Sequence, residues 1–347
     1  MAEMTKRERV ETLLEGGKPD RVPNWQFTGI AASKIYGYQW KDIRENPKLA
    51  VETELRYGKE SGTDILSHTC IECNAPVIDL GVNVKYFDDN YLNIMDHYYV
   101  EPEDVDKKEF YDASDRKQCP HLWKYLLDEL ILLAQSTDEY RIHAQTWGPM
   151  TVAGNLRGVE TLMMDFMLEP EMAQKIMDNS TAFIDDIVAQ AFKGGCEDLL
   201  LGDPTSSGSL ISKEIFEEFS IPKINQLARK YRKEYNAPSH LHICGEAAPI
   251  AESVNKAEVD VYTFDYMNNL KDMANWVSDK IILAGNIDPM NVIWMGSPEL
   301  VDEKCREAIE AMKDRRFILM TGCETPRDTP LANLQAMASA AKKYGTY

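Results

Sequence analysis

Long apolar runs are missing from this chain. The longest, such as Leu130 to Ala134, fall far short of the ~18 consecutive apolar residues of a membrane span. The stretch up to Pro23 has no apolar core of the signal-peptide kind. A cytoplasmic protein without a membrane partner is therefore expected. Basic residues are in deficit: 38 Lys+Arg stand against 57 Asp+Glu, a formal charge of −19. Such a surface repels phosphate backbones, which sets nucleic acid aside as a partner. Cysteines number seven, odd and scattered, which argues against a disulfide framework. Low-complexity tracts, Gly/Ser linkers and short repeats are also missing. So is a GxGxxG after the first apolar run, which weighs against a dinucleotide-binding fold.

What is present suits a soluble protein with a large core: 44% hydrophobic and 27% charged residues. Short β-rich runs alternate with helical spacing. The runs are Val22–Phe27, Asp64–His68, Arg141–Trp147, Asp198–Asp203, His240–Cys244, Val259–Asp265, Ile281–Asn286 and Phe317–Cys323. Between them, a helix opens on Ser212 as cap, and another on Ser297 with Pro298 at its first position. Eight strand–helix units predict an α/β fold, a closed (β/α)8 TIM barrel, with an open doubly wound sheet as rival. One barrel domain spanning 1–347 is expected. About 70–137 is too long for one helix and contains an alternating, aromatic-rich stretch, "GVNVKYFDDNYLNIMDHYYVEPED". It reads as an inserted hairpin, either a cap over the mouth or an ornament away from it.

In a parallel barrel, function gathers where strands end. The runs end in His68; Gln145, Thr146 and Trp147; Asp203; His242 and Cys244; Asp265; Asn286; and Cys323. In "HLHICG", His242 and Cys244 are two apart, so on a strand both point the same way. With Cys323 they form a tripod suited to Zn²⁺ with one position open. Two buried thiols and a core histidine are the competing reading. His240 shares that face but lies deeper, and a structural role is expected. Cys70-x-x-Cys73 has no second CxxC to complete a structural zinc site, so ordinary thiols are expected there.

These stretches resemble the uroporphyrinogen decarboxylase superfamily, and within it the zinc-dependent cobamide methyltransferases. The likeness lies in "KPDRVP", "WGPMTVAGNLRGVETLMMD", "LGDPTSSGSLISKEIFEEF", "LHICGEAAPI", "LAGNIDPMNVIWMGSPELV" and "GCETPRDTPLANLQAM". The methyltransferase branch carries H-x-C-G and a later G-C-x-x-P. The resemblance implies zinc ligands at His242, Cys244 and Cys323. True decarboxylases carry an arginine-rich "RQAGRYLPEY"-like segment near the start, where this chain reads "NWQFTGIAASKIYGYQW". Coenzyme M methyltransferases have a "VEAMG"-like stretch where this chain has "PVIDLG".

The implied activity is transfer of a methyl group from a methoxylated, aromatic compound to the Co(I) corrinoid of a partner protein, as in an O-demethylase system. A methylcobamide:thiol methyltransferase is the alternative, and a metal-free decarboxylase a remoter one. The chain has no D-x-H-x-x-G motif, so the corrinoid is expected on a separate protein. Glu246 is a candidate fourth zinc ligand. His68, Gln145, Trp147, Asp203, Tyr262 and Asn286 are candidates to face substrate or corrinoid, with Tyr262 and His68 bonding the leaving oxygen. Asp265 is expected to orient a zinc ligand.

Overall fold

The structure, a computed structural model, describes residues 3–66 and 72–346. Among the described residues nine strands occur in chain order: β1 (Asn24–Trp25), β2 (Val84–Lys85), β3 (Asn93–Ile94), β4 (His143–Trp147), β5 (Asp198–Gly202), β6 (Ser239–Ile243), β7 (Val261–Phe264), β8 (Ile282–Ile287) and β9 (Phe317–Thr321). Seven form one sheet in the order β1-β9-β8-β7-β6-β5-β4, every pairing parallel. The eighth position is held by Ile65, which bridges Trp25 in parallel. The architecture is the α/β barrel expected. Asp64 opens the second run, and its carboxylate accepts from Arg9 Nη1 (2.8 Å), Arg21 Nη1 (2.7 Å) and the Asn24 amide (2.8 Å). The expected end of the run at His68 lies outside the described residues, as does Cys70.

Helices pack around the sheet. The longest among the described residues are Pro170–Lys193, Pro47–Ser61, Ile221–Tyr235, Pro298–Ala311 and Leu331–Tyr344. Ser212 and Ser297 cap as expected, accepting from the amides of Ile215 and Leu300. The helix begun at Ser212 widens to a π-turn over Phe216–Ser220, just ahead of Pro222, whose ring nitrogen has no proton to donate to the preceding turn. No helix among the described residues is long and apolar enough to cross a membrane.

Strand parity divides the core. Trp25, Ile65, Leu200, Val261, Ile282, Ala284, Ile318 and Met320 cluster inside the barrel. Leu199, Leu201, Leu241, Ile243, Tyr262 and Phe264 belong to the larger layer shared with the helices. The insertion includes the expected hairpin, with Val84 opposite Ile94 in antiparallel register.

Candidate active site

β6 brings the H-x-C pair of "HLHICG" to the mouth. Its five residues are all buried, with Leu241 and Ile243 facing the helices and His240 and His242 facing inward. Past the strand end, Gly245 takes φ +76°, a left-handed turn where a Cβ would come within 2.9 Å of Ser207 Oγ. That turn leaves Cys244 at the mouth, beside His242. Cys323 arrives two residues beyond β9. The three donor atoms meet: His242 Nε2 lies 2.9 Å from Cys244 Sγ, Cys244 Sγ 3.3 Å from Cys323 Sγ, and Cys323 Sγ 3.9 Å from His242 Nε2.

This donor set fits zinc. Bond lengths of ~2.3 Å to sulfur and ~2.0–2.1 Å to nitrogen place tetrahedral ligand atoms roughly 3.5–3.8 Å apart. The sulfurs are too far apart for a disulfide. Cys323 is held well below the usual thiol range, first by the hydrogen bond from Cys244, against burial, and then by His242. The same contact pushes Cys244 up. The imidazole is oriented from behind by Thr263 Oγ1 on Nδ1 and edge-on by Phe27, with ring centroids 5.5 Å apart. With Nδ1 engaged, Nε2 is turned to the thiols.

The tripod forms part of the wall of a cavity of about 190 Å³. Trp25, Phe27, Tyr91 and Trp147 supply its aromatic surface. Trp147 Nε1 donates to Asn74 Oδ1 at 2.7 Å, and Tyr91 Oη to Glu324 Oε1 at 2.8 Å. Tyr91 comes from the inserted hairpin, which therefore forms part of the cavity wall. Two carboxyls line the cavity as well. Burial pushes both Glu72 and Glu324 up to about 7.

Of the residues expected at the mouth, Gln145 and Trp147 line the cavity beside the tripod. Asp265 sits one step back. Its Oδ2 accepts from the Gly245 amide at 2.9 Å, fixing the turn after Cys244, while Thr263 rather than Asp265 contacts the histidine. The other expectations are displaced. Asp203 is fully buried off the cavity and accepts from the Thr151 amide (2.7 Å), Thr151 Oγ1 (2.8 Å) and Ser206 Oγ (2.8 Å). It is a strand-end brace for the start of the helix Pro149–Arg157, which follows β4. Tyr262 points into the helix layer, because β7 pairs it with Leu241 while Thr263 pairs with His242. Asn286 bonds the carbonyls of Asp265 (3.2 Å) and Asn268 (2.6 Å) outside the cavity. Glu246 is exposed and is not in the ligand cluster. His68 lies outside the described residues. Cys73 lines the cavity, its thiol pushed up by burial.

His240 is buried one layer below the tripod, as expected. There it meets His143 and Asp198, with His240 Nε2 3.6 Å from Asp198 Oδ2. Arg141 pairs bidentately with that aspartate, which balances its charge. The residues missed from sequence are Thr263, Phe27, Glu72, Tyr91 and Glu324. Parity would have found Thr263, and Glu324 stands beside Cys323 in "GCETP".

Comparison with known proteins adds to this geometry. The family described as Uroporphyrinogen decarboxylase (URO-D) matches residues 5–344. A methylated-thiol–coenzyme M methyltransferase of Methanosarcina mazei is 32% identical over 56% of this chain and 51% of its own, so that match spans about half the relative. A methylcobamide:CoM methyltransferase, MtbA, of Methanosarcina acetivorans is 24% identical over 99% of both chains. Among solved structures, a methyltransferase from Methanosarcina mazei covers 99% of both chains at a TM-score of 0.84 and 21% identity. A B12-independent methionine synthase from Shewanella sp. W3-18-1 covers 93% of this chain and 98% of its own at 0.59 and 12% identity, a likeness of fold.

Proposed function

The chain belongs to the uroporphyrinogen decarboxylase family, and from that premise we propose a zinc-dependent corrinoid methyltransferase acting on a methoxylated aromatic donor. Methyltransferase activity is what the full-length relatives have in common. The finer reading has the methyl group pass to the Co(I) corrinoid of a separate partner protein in a cytoplasmic setting. The observation that carries it is the His242–Cys244–Cys323 tripod in the wall of an aromatic-lined cavity.

Each residue has a task in this reading. His242, Cys244 and Cys323 hold the metal. Thr263 and Phe27 fix the imidazole, and Asp265 fixes the turn after Cys244. Trp25, Phe27, Tyr91 and Trp147 clasp an aromatic ring and keep water from it, so that the donor is presented in one orientation. Zinc, when bound, supplies a Lewis acid for the ether oxygen that departs as phenolate.

A thiol acceptor of methyl from methylcobamide is the second reading, favoured by the names of the relatives. One assay separates them. The zinc-loaded protein is mixed with a Co(I) corrinoid and methoxyarenes, and the conversion of Co(I) to methyl–Co(III) is followed by absorbance. Methylation dependent on the methoxyarene is the expected result. Loss of methyl from methyl–Co(III) on adding a thiol, with no reaction of any methoxyarene, would favour the second reading. Absence of both reactions would favour the metal-free decarboxylase reading, which also predicts no zinc.

A further inference from the structure

The cavity has a metal-binding side and, built by the insertion and the loop after β9, an acidic one. Glu324 Oε1 accepts from the Ile30 amide (3.0 Å) and from Tyr91 Oη (2.8 Å). Glu72 Oε2 accepts from the next hairpin residue, the Leu92 amide, at 3.0 Å. The hairpin thus ties both carboxyls into one wall. The seat is shaped for Glu324: Gly29 has φ +45°, and a Cβ there would fall 1.7 Å from Glu324 Oε1. A third acceptor, Gln145 Oε1, is buried and has no hydrogen bond among the described residues.

Donors are scarce here. Tyr91 Oη is committed to Glu324 and Trp147 Nε1 to Asn74. No lysine or arginine lines the cavity among the described residues. Arg44 attracts Glu72 but does not line the cavity; its guanidinium bonds the Phe87 carbonyl (3.3 Å), lies over the Tyr86 ring and pairs with Glu45 (3.7 Å). An anion set against these carboxyls would be desolvated with no lysine or arginine beside it among the described residues.

We propose that Glu72, Glu324 and Gln145 form a polar subsite that accepts a hydrogen-bond-donating or cationic group on the methyl donor and rejects anionic ones, sulfonate and carboxylate included. The proposal rests on the methyltransferase reading for the words "methyl donor", while the charge preference stands on the cavity itself. It separates this chain from enzymes whose substrate is coenzyme M, a thiol that carries a sulfonate.

The test uses binding alone, so that it stays independent of methyl transfer. Benzyl alcohol, benzylammonium, benzoate and 2-mercaptoethanesulfonate are titrated calorimetrically into the zinc-loaded full chain. The alcohol and the ammonium are expected to bind at least about tenfold tighter than either anion. Glu72→Gln and, separately, Glu324→Gln should each reduce the ammonium-over-benzoate preference by about threefold or more, with a cooperative melt confirming the fold of each. Either anion binding as tightly as the ammonium would overturn the proposal. So would an unchanged preference in both folded variants, or no binding by any probe. Failure of methoxyarenes to methylate Co(I) while the charge preference holds would refute the donor reading alone.

Discussion

Thr263 offers a sharp test of how the metal site is held. It lies on β7 opposite His242, and its hydroxyl meets Nδ1 of that ring. Both residues are buried, at 1% and 5% exposure, so no bulk water replaces the hydroxyl when it is removed. Thr263→Val keeps the shape and deletes the partner. A buried donor left unpaired costs about 1–3 kcal/mol. Loss of a partner behind a metal-bound histidine typically weakens affinity by about 10–100-fold, or about 1.4–2.7 kcal/mol. The zinc Kd, measured by competition with a chromophoric chelator at pH 7, is expected to rise within that range. Thr263→Ser, which retains the hydroxyl, should restore most of the affinity. An unchanged Kd in a folded Thr263→Val protein would refute the idea that this contact orients the ligand.

Further outcomes follow from the same geometry. Tyr262→Phe should leave methyl transfer unaltered, because Tyr262 faces the helices and its hydroxyl has no hydrogen bond among the described residues; a large drop in rate would contradict the parity of β7. Asp198 is depressed below the carboxylate range because the proximity of His240 and Arg141 outweighs the upward push of burial. Its stabilising contribution is therefore present above the unfolded value of about 3.9 and fades as pH falls below it. Asp198→Asn should cost about 3–5 kcal/mol at neutral pH, read from urea melts, with the gap from the native protein narrowing in acid. Glu72 behaves in the opposite sense. Burial raises it to about 7, so the native fold loses stability as pH climbs from about 4.5 to about 7 and changes little from this group above that. Glu72→Gln should match the native melting temperature near pH 4 and exceed it above pH 7.

Much of this fold was legible because strand and helix leave different periods. Each of the eight apolar runs has a counterpart, from Asn24–Trp25 to Phe317–Thr321. The H-x-C pair was readable for the same reason: residues two apart on a strand share a face. Its convergence with Cys323 depended on recognising both as strand ends of one barrel. Tyr262 has a hydroxyl suited to the mouth but the parity of the helix-facing layer; one residue along, Thr263 has the hydroxyl that faces inward. Asp203 and Asn286 were placed at the mouth because polar residues end their runs, yet their side chains turn back to bind the protein's own amides and carbonyls. Glu72, Tyr91 and Glu324 lie on loops, where no period announces direction, and only the folded hairpin brings them together.

His242, Cys244 and Cys323 are expected to hold one metal ion together. Zinc per chain, measured by elemental analysis of the native protein and of Cys323→Ser, checks this. About one zinc is expected in the native protein and a substoichiometric, readily chelated amount in the variant. A native protein that contains no zinc and takes none up when it is added would contradict it.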